Sequence, residues 1–233
     1  MIKAQWRKLI LANYTIDPKV IANYLPFKTE FDHWDNQCFV SLVGFMFMDT
    51  TVLGIKFPFH VHFEEVNLRF YVRHHQDETW KRGVVFIKEI VPLPGITLVA
   101  NTVYKEHYQT MPMKHTLNLT PDELNVEYKW KKQRWHSLGI ISDARPIDMT
   151  TGSEQMFFTD QHWGYTKIYS GLTSEYEVAH PDWTYYKTKS HTIDVDFGSI
   201  YGQEFSFLTD QKPYSVFLAE GSDISLRKSG RIQ

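Results

Sequence analysis

The segment FEEVNLRFYVR, residues 63–73, leaves little choice of local structure. Val66, Leu68, Phe70 and Val72 alternate with Glu65, Asn67, Arg69, Tyr71 and Arg73, so an extended chain puts the apolar set on one side and the polar set on the other. A helix would scatter the same residues around its circumference. Such a strand needs partners, and GVVFIKEIV (83–91) is the expected antiparallel neighbour, across a polar loop containing HHQDE. Where the polar stripe points is open at this stage. One face of an antiparallel strand commonly meets water, but the stripe can equally face an enclosed pocket.

Most of the remaining chain reads the same way. Sixteen Phe, thirteen Tyr and seven Trp favour strands, where flat rings pack on a pleated surface. A turn near Asp35-Asn36 predicts a hairpin whose second arm, Cys38 to Met48, is apolar on both alternating sides and so expects cover on both. ELNVEYKW, HSLGIISDA, EYEVAH and KPYSVFLAEGSDISL read as strands, the last with a bend at Gly221. Helices are few. IDPKVIANYLP predicts a short one capped by Asp17, with Pro18 in its first turn and Pro26 beyond its end. SEQMFFTDQHW (153–163) predicts another, capped by Ser153. After PLPG breaks the strand, Ile96, Val99, Ala100, Val103, Tyr104 and His107 recur at helical spacing, which predicts a helix over 96–108 leading to Pro112 and Lys114. No repeat, low-complexity tract or linker divides the chain, so residues 1–233 are expected to form a single, mainly β domain.

Several function classes drop out. The net charge is −2, and the densest basic run, KWKKQRW (129–135), reads as a solvated strand face, so no nucleic-acid partner is expected. No stretch approaches the ~20 apolar residues of a membrane helix. The apolar run Leu9 to Ala12 is too short for a signal peptide, and NYT and NLT carry no weight as glycosylation sites without one; a cytoplasmic protein is expected. Cys38, the lone cysteine, reads as a buried, inert thiol. No phosphate-binding loop, dinucleotide fingerprint or nucleophile elbow is present, and no cofactor is expected. His60 and His62 lie two apart with Glu64 next on the same side. That spacing suits zinc or iron only if His107, His115, His162 or His180 completes the set, and no metal is expected.

NYTIDPKVIANYLP, CFVSLVGFMFMDTTVLG, FEEVNLRFYVR, RGVVFIKEIVPLPG, YQTMPMKH, DQHWGYTKI, EYEVAHPDW and PYSVFLAEGS together resemble the YqjF-like family of bacterial proteins, from near residue 6 to near residue 225. The resemblance implies an acetoacetate decarboxylase-like fold: a largely antiparallel β-barrel or cone with two or three short helices, enclosing a pocket. In that enzyme a Gly-Tyr-Pro-Lys-Lys segment carries a lysine that forms a Schiff base, and the second lysine depresses its pKa. Setting Pro112 on that proline places Met113 at the nucleophile, Lys114 at the second lysine and Thr110 at the glycine. Met113 cannot form an imine. Lys114 could take over only if the register shifted by one and burial lowered its pKa; otherwise it is an ordinary cation on a strand.

The same resemblance makes Glu65, Asn67, Arg69, Tyr71 and Met113 candidate pocket residues. Arg69 would clamp a carboxylate, with Glu65 and Asn67 holding its geometry. It sets His107 and Tyr108 at the pocket mouth, where His107 is either an acid–base group or a helix cap. The leading expectation is a protein that binds a small carboxylate-bearing or apolar molecule without Schiff-base chemistry. The alternatives are a decarboxylase or lyase using Lys114, or Glu65, Arg69 and His107, and a structural protein whose interior is filled. Sheet edges make a homodimer plausible.

Overall fold

The computed structural model describes residues 2–52, 54–56 and 60–233. In chain order its strands are β1 (Ile2–Thr15), β2 (Glu30–Phe31), β3 (Phe39–Val52), β4 (Phe63–Gln76), β5 (Thr79–Val91), β6 (Tyr108–Thr110), β7 (Met113–Leu119), β8 (Glu123–Lys132), β9 (Arg134–Asp148), β10 (Trp163–Tyr169), β11 (Leu172–Ala179), β12 (Thr184–Asp194) and β13 (Ser215–Ile232). Four short α-helices interrupt them: α1 (Pro18–Ile21), α2 (Pro94–Val99), α3 (Glu154–Thr159) and α4 (Phe197–Tyr201). No helix among the described residues is long and apolar enough to cross a membrane.

All thirteen strands join one sheet. The path β1-β3-β4-β5-β10-β11-β13 returns to β1 through an eleven-residue antiparallel ladder from Ile2↔Leu226 to Asn13↔Ser215, so these seven strands form a closed ring. From β13 the sheet continues as an open arm, β12-β9-β8-β7. The ring is mainly but not wholly antiparallel: β5 pairs in parallel with β10 and with β6. Gly221 is needed where the ring closes. Its φ is +78°, and a Cβ there would lie 2.0 Å from the backbone oxygen of Trp6.

The ring wall is packed on both sides, which explains why β3 is apolar throughout. Phe39, Val43, Phe45 and Phe47 join one core with Leu9, Leu11, Phe63, Phe86, Phe157 and Phe158, inside the ring. Val40, Leu42 and Met46 join the other with Val66, Leu68, Phe70, Leu124, Val126, Trp130, Ile140 and Phe205, between the ring and the arm. Each such buried side chain contributes about 1.5–3 kcal/mol. α3 packs Phe157 and Phe158 against Tyr71 at one side of the inner core.

Local chemistry agrees with the sequence at the turns. The Asp17 carboxylate accepts from the Lys19 backbone N–H at 2.9 Å, and Pro18 opens α1. Asp35 and Asn36 both have positive φ between the bridged pair Trp34 and Gln37, so the turn is where expected, but the hairpin is not formed: β3 pairs with β1 and β4, and β2, before the turn, pairs with β4. The helix expected over 96–108 stops early. α2 covers Pro94–Val99, a π-turn follows over Ala100–Tyr104, and Lys105 ends it in the left-handed region at φ 62°. A π-turn carries one more residue than an α-turn, so the 3.6-residue period cannot be extended through it, and Tyr108 begins a strand. The side chains of Val103 and Tyr104, part of that expected face, lie outside the described residues.

Candidate functional site

A cavity of about 400 Å³ occupies the interior of the ring, and all seven ring strands contribute to its lining. Most of that lining is apolar: Trp6 and Leu9 from β1, Phe45 and Phe47 from β3, Val84 and Phe86 from β5, Trp163 from β10, and Ile96, Val99 and Ala100 from the helical segment over its mouth. Gly164 also lines it. A Cβ at Gly164 would stand 2.2 Å from the Tyr176 ring, so only glycine there lets Tyr176 lie across β10.

One wall is different in kind. On β4 the alternation that sends Val66 and Leu68 outward sends Glu65, Asn67 and Arg69 inward, and all three are buried, at 2%, 1% and 6% exposure. Strand register extends the row: Asn67 pairs with Glu89 on β5, and Glu89 pairs with Tyr108 on β6. Asn67 Nδ2 donates to Glu65 Oε1 at 2.9 Å, and the Tyr108 hydroxyl donates to Glu65 Oε2 at 3.0 Å. Glu106, just before β6, accepts from Thr166 Oγ1 at 2.7 Å. Arg69 Nη2 donates to the Phe158 carbonyl at 3.0 Å, in the last turn of α3, where a cation also meets the negative end of the helix.

Three carboxyl groups and one guanidinium thus share a water-poor space. Burial is the main cause that pushes Glu65 up to about 7, against hydrogen bonds from Asn67 and Tyr108 and the charge of Arg69. Burial likewise pushes Glu106 up to about 7, opposed by Thr166 and Tyr176. Glu89 is held well above the usual carboxylate range by burial and then by the neighbouring charges of Glu106 and Glu65. Near neutral pH Glu65 and Glu106 can therefore each hold or release a proton, beside a Glu89 that favours its protonated form.

The residues singled out in the sequence separate into two groups. Glu65, Asn67, Arg69 and Tyr108 line the cavity. Tyr71 is buried on the same side of β4 but beneath α3, its hydroxyl 2.6 Å from Ser41 Oγ. Met113 packs against the core between ring and arm, and His107 is exposed; neither lines the cavity. Lys114 is exposed on β7, the arm's terminal strand, with its ammonium 4.5 Å from the centre of the Trp135 ring. The decarboxylase-type segment thus runs from β6, where Thr110 pairs with Val91 of β5, onto the arm's terminal strand, and none of residues 110–114 lines the cavity. His60 lines the cavity beside Gly95, while His62 is exposed and accepts from the Asp49 N–H at 3.3 Å. The stretch 57–59 leading into them lies outside the described residues. Among the described residues no three His, Cys, Asp or Glu side chains are placed to hold a metal ion.

Glu89, Glu106, Gln161 and Tyr176 were not among the sequence candidates. Glu89 had a readable signal, an acid inside the apolar run GVVFIKEIV, on a strand paired to the Glu65 stripe. Glu106 had none, because the helical period ran straight over it.

A model of the DUF2071 family, described as uncharacterized conserved protein, matches residues 3–223, and the chain belongs to that family. No curated protein matches it by sequence. Among solved structures it is similar to acetoacetate decarboxylase from Legionella pneumophila subsp. pneumophila str. Philadelphia 1, at 10% identity and a TM-score of 0.67, covering 100% of this chain and 87% of that one. It is also similar to the enduracididine biosynthesis enzyme MppR complexed with pyruvate, at 12% identity and a TM-score of 0.65, over 98% and 90% of the two chains. An acetoacetate decarboxylase-like enzyme from Sphingomonas wittichii RW1 matches at 10% identity and a TM-score of 0.63, over 98% and 92%. At these identities the likeness establishes the acetoacetate decarboxylase-like fold, and the cavity has to be read from its own residues.

Proposed function

We propose that this DUF2071 protein binds one small organic molecule inside the strand ring, with an apolar body against Phe45, Phe47 and Trp163 and a polar head on the wall formed by Glu65, Asn67 and Glu89, and that no imine forms. The observation that carries this reading is the cavity itself. At about 400 Å³ it falls within the ~300–1,000 Å³ of small-molecule sites, and it has their usual composition, apolar walls with a few convergent polar groups. A structural protein with a filled interior would have no reason to keep charged side chains around an open volume, since each costs desolvation energy. Imine chemistry needs an amine nucleophile at the ligand, and among the described residues no lysine lines the cavity.

A specific observation favours a second reading, that the site performs proton-transfer chemistry as a decarboxylase or other lyase would. Glu65 and Glu106 titrate near 7, where a carboxyl can act as acid or base at neutral pH. On this reading Glu65 and Tyr108 carry the proton rather than His107 or Lys114.

Three measurements test the pair. Incubation with acetoacetate or pyruvate followed by borohydride reduction should leave the intact mass unchanged; a stable adduct would sink the no-imine reading. A thermal-shift screen of small apolar molecules should find compounds that raise the melting temperature of the native protein but not of Ala100→Trp, which fills the cavity mouth. Equal shifts in both proteins would place binding elsewhere. Deuterium exchange into the C–H bonds of a bound compound, lost in Glu65→Gln, would support the second reading.

A further inference from the structure

We infer that the head group this cavity takes is a cation, so that the ligand class is a primary amine on an apolar or aromatic body rather than a carboxylate. The inference rests on the reading above, that the cavity holds a ligand, and concerns which one.

The charge inventory comes first. Glu65, Glu89 and Glu106 line the cavity with one permanent cation, Arg69, and one histidine, His60. That cation is engaged in part: its Nη2 donates to the Phe158 carbonyl at 3.0 Å, its guanidinium carbon lies 5.7 Å from the Tyr71 ring centre, and its charge acts on Glu65, while its Nε is open. Beyond Arg69, no lysine or second arginine lines the cavity among the described residues. A carboxylate ligand would add a fourth acid to this space, whereas an ammonium group offsets one.

The hydrogen-bonding inventory agrees. Asn67 Oδ1, Glu89 Oε2, Glu106 Oε2 and Gln161 Oε1 are four buried acceptors on the lining without a hydrogen-bond partner among the described residues. The amide orientations are fixed by the bonds their nitrogens make, Asn67 Nδ2 to Glu65 and Gln161 Nε2 to the Phe157 carbonyl at 2.7 Å. The unpartnered donors among the lining residues are Arg69 Nε and Trp6 Nε1, and Thr50 Oγ1 can act either way. An ammonium group supplies three N–H donors and accepts none, so it suits a lining on which open acceptors outnumber open donors. Around them stand the rings of Tyr108, Trp163, Tyr176 and Phe86, whose faces attract a cation in a desolvated site.

The titratable groups lining the cavity are His60, Glu65, Arg69, Glu89, Glu106, Tyr108 and Tyr176. An ammonium that settles among the carboxyl groups replaces a proton, so its affinity increases as pH rises through neutrality.

The experiment is calorimetric titration of the full chain with phenethylamine, phenethyl alcohol and phenylacetate, which share one body and differ in head. The amine should bind at least about tenfold tighter than the alcohol, with phenylacetate weakest, a gap of about 1.4 kcal/mol or more. Glu89→Gln, which removes a charge without removing volume, should weaken the amine about tenfold or more and the alcohol by a much smaller factor. Raising pH from about 6 to about 8 should strengthen the amine alone. Phenylacetate binding as tightly as the amine overturns the inference but leaves the ligand-binding reading intact. Amine affinity untouched by both Glu89→Gln and Glu106→Gln overturns it too. Failure of all three compounds to bind counts against both.

Discussion

The two sides of β4 are almost equally buried and chemically opposite. Val66, Leu68, Phe70 and Val72 are each 0% exposed and face the core between ring and arm; Glu65, Asn67, Arg69 and Tyr71 are 1–6% exposed and face the ring's interior. The first set is stabilised by being dry. The second is costly for the same reason, and is tolerated because Tyr108, Asn67, Ser41 and the end of α3 supply some of the lost hydrogen bonds. Polar alternation along a strand therefore reports two chemistries and leaves open which side is wet. Here the wet side is missing, and a cavity stands in its place.

Substitutions on the two sides should move stability in opposite directions. The largest expected effect is on the apolar side: Leu68→Ala should cost about 3 kcal/mol, lowering the melting temperature by roughly 6–12 °C. A loss under about 1 kcal/mol would mean that this side is far looser than its burial implies. Next is Gly164→Ala, whose methyl group must displace the Tyr176 ring. It should cost about 1–3 kcal/mol and weaken whatever ligand the cavity takes, as seen by titration alongside melting.

The polar side should reveal itself through pH. Glu65 and Glu106 keep their protons in the folded protein up to about 7, above the ordinary value of 4.5. A raised folded pKa gives stability that is complete below the unfolded value and lost as pH rises through the folded one. The ligand-free melting temperature should therefore fall between about pH 5 and about pH 8, by several degrees. Melting temperatures that rise over this window would mean that the carboxyl groups are not where they are described. Glu89→Gln should flatten the curve, matching wild type near pH 5 and exceeding it by about 2–4 °C near pH 8. The smallest effect is expected at Lys114. Lys114→Ala removes an exposed contact with Trp135 worth about 0.5–1 kcal/mol at most, and ligand titrations should not change.

Much of the fold was legible because it is written locally. The period of two in β4, the capping Asp17 with Pro18, and the turn at Asp35-Asn36 each follow from neighbouring residues alone, and the resemblance supplied the architecture that joins them. The site was legible only in part. Glu65, Asn67 and Arg69 could be found from their strand, since a period of two keeps them on one side, but nothing within eleven residues says whether that side faces water. Tyr71 shares their side and misses the cavity because α3, distant in sequence, covers it. Glu106 was hidden by the π-turn and the left-handed Lys105, which end a helix that the apolar spacing would have continued. Lys114 drew attention through Pro112, yet its segment opens an exposed strand of the arm, a placement set by which strands pair and not by the segment itself.

The ring is sealed by β1 and β13, whose paired residues Asn13 and Ser215 lie 202 positions apart. A ribosome delivers the chain in order, so Glu65, Glu89 and Glu106 all emerge well before the strand that shuts them in. Until then they are ordinary wet acids, ionised in a neutral cell. Closing the ring is therefore also the moment at which the nascent protein must take up protons or capture a positively charged guest.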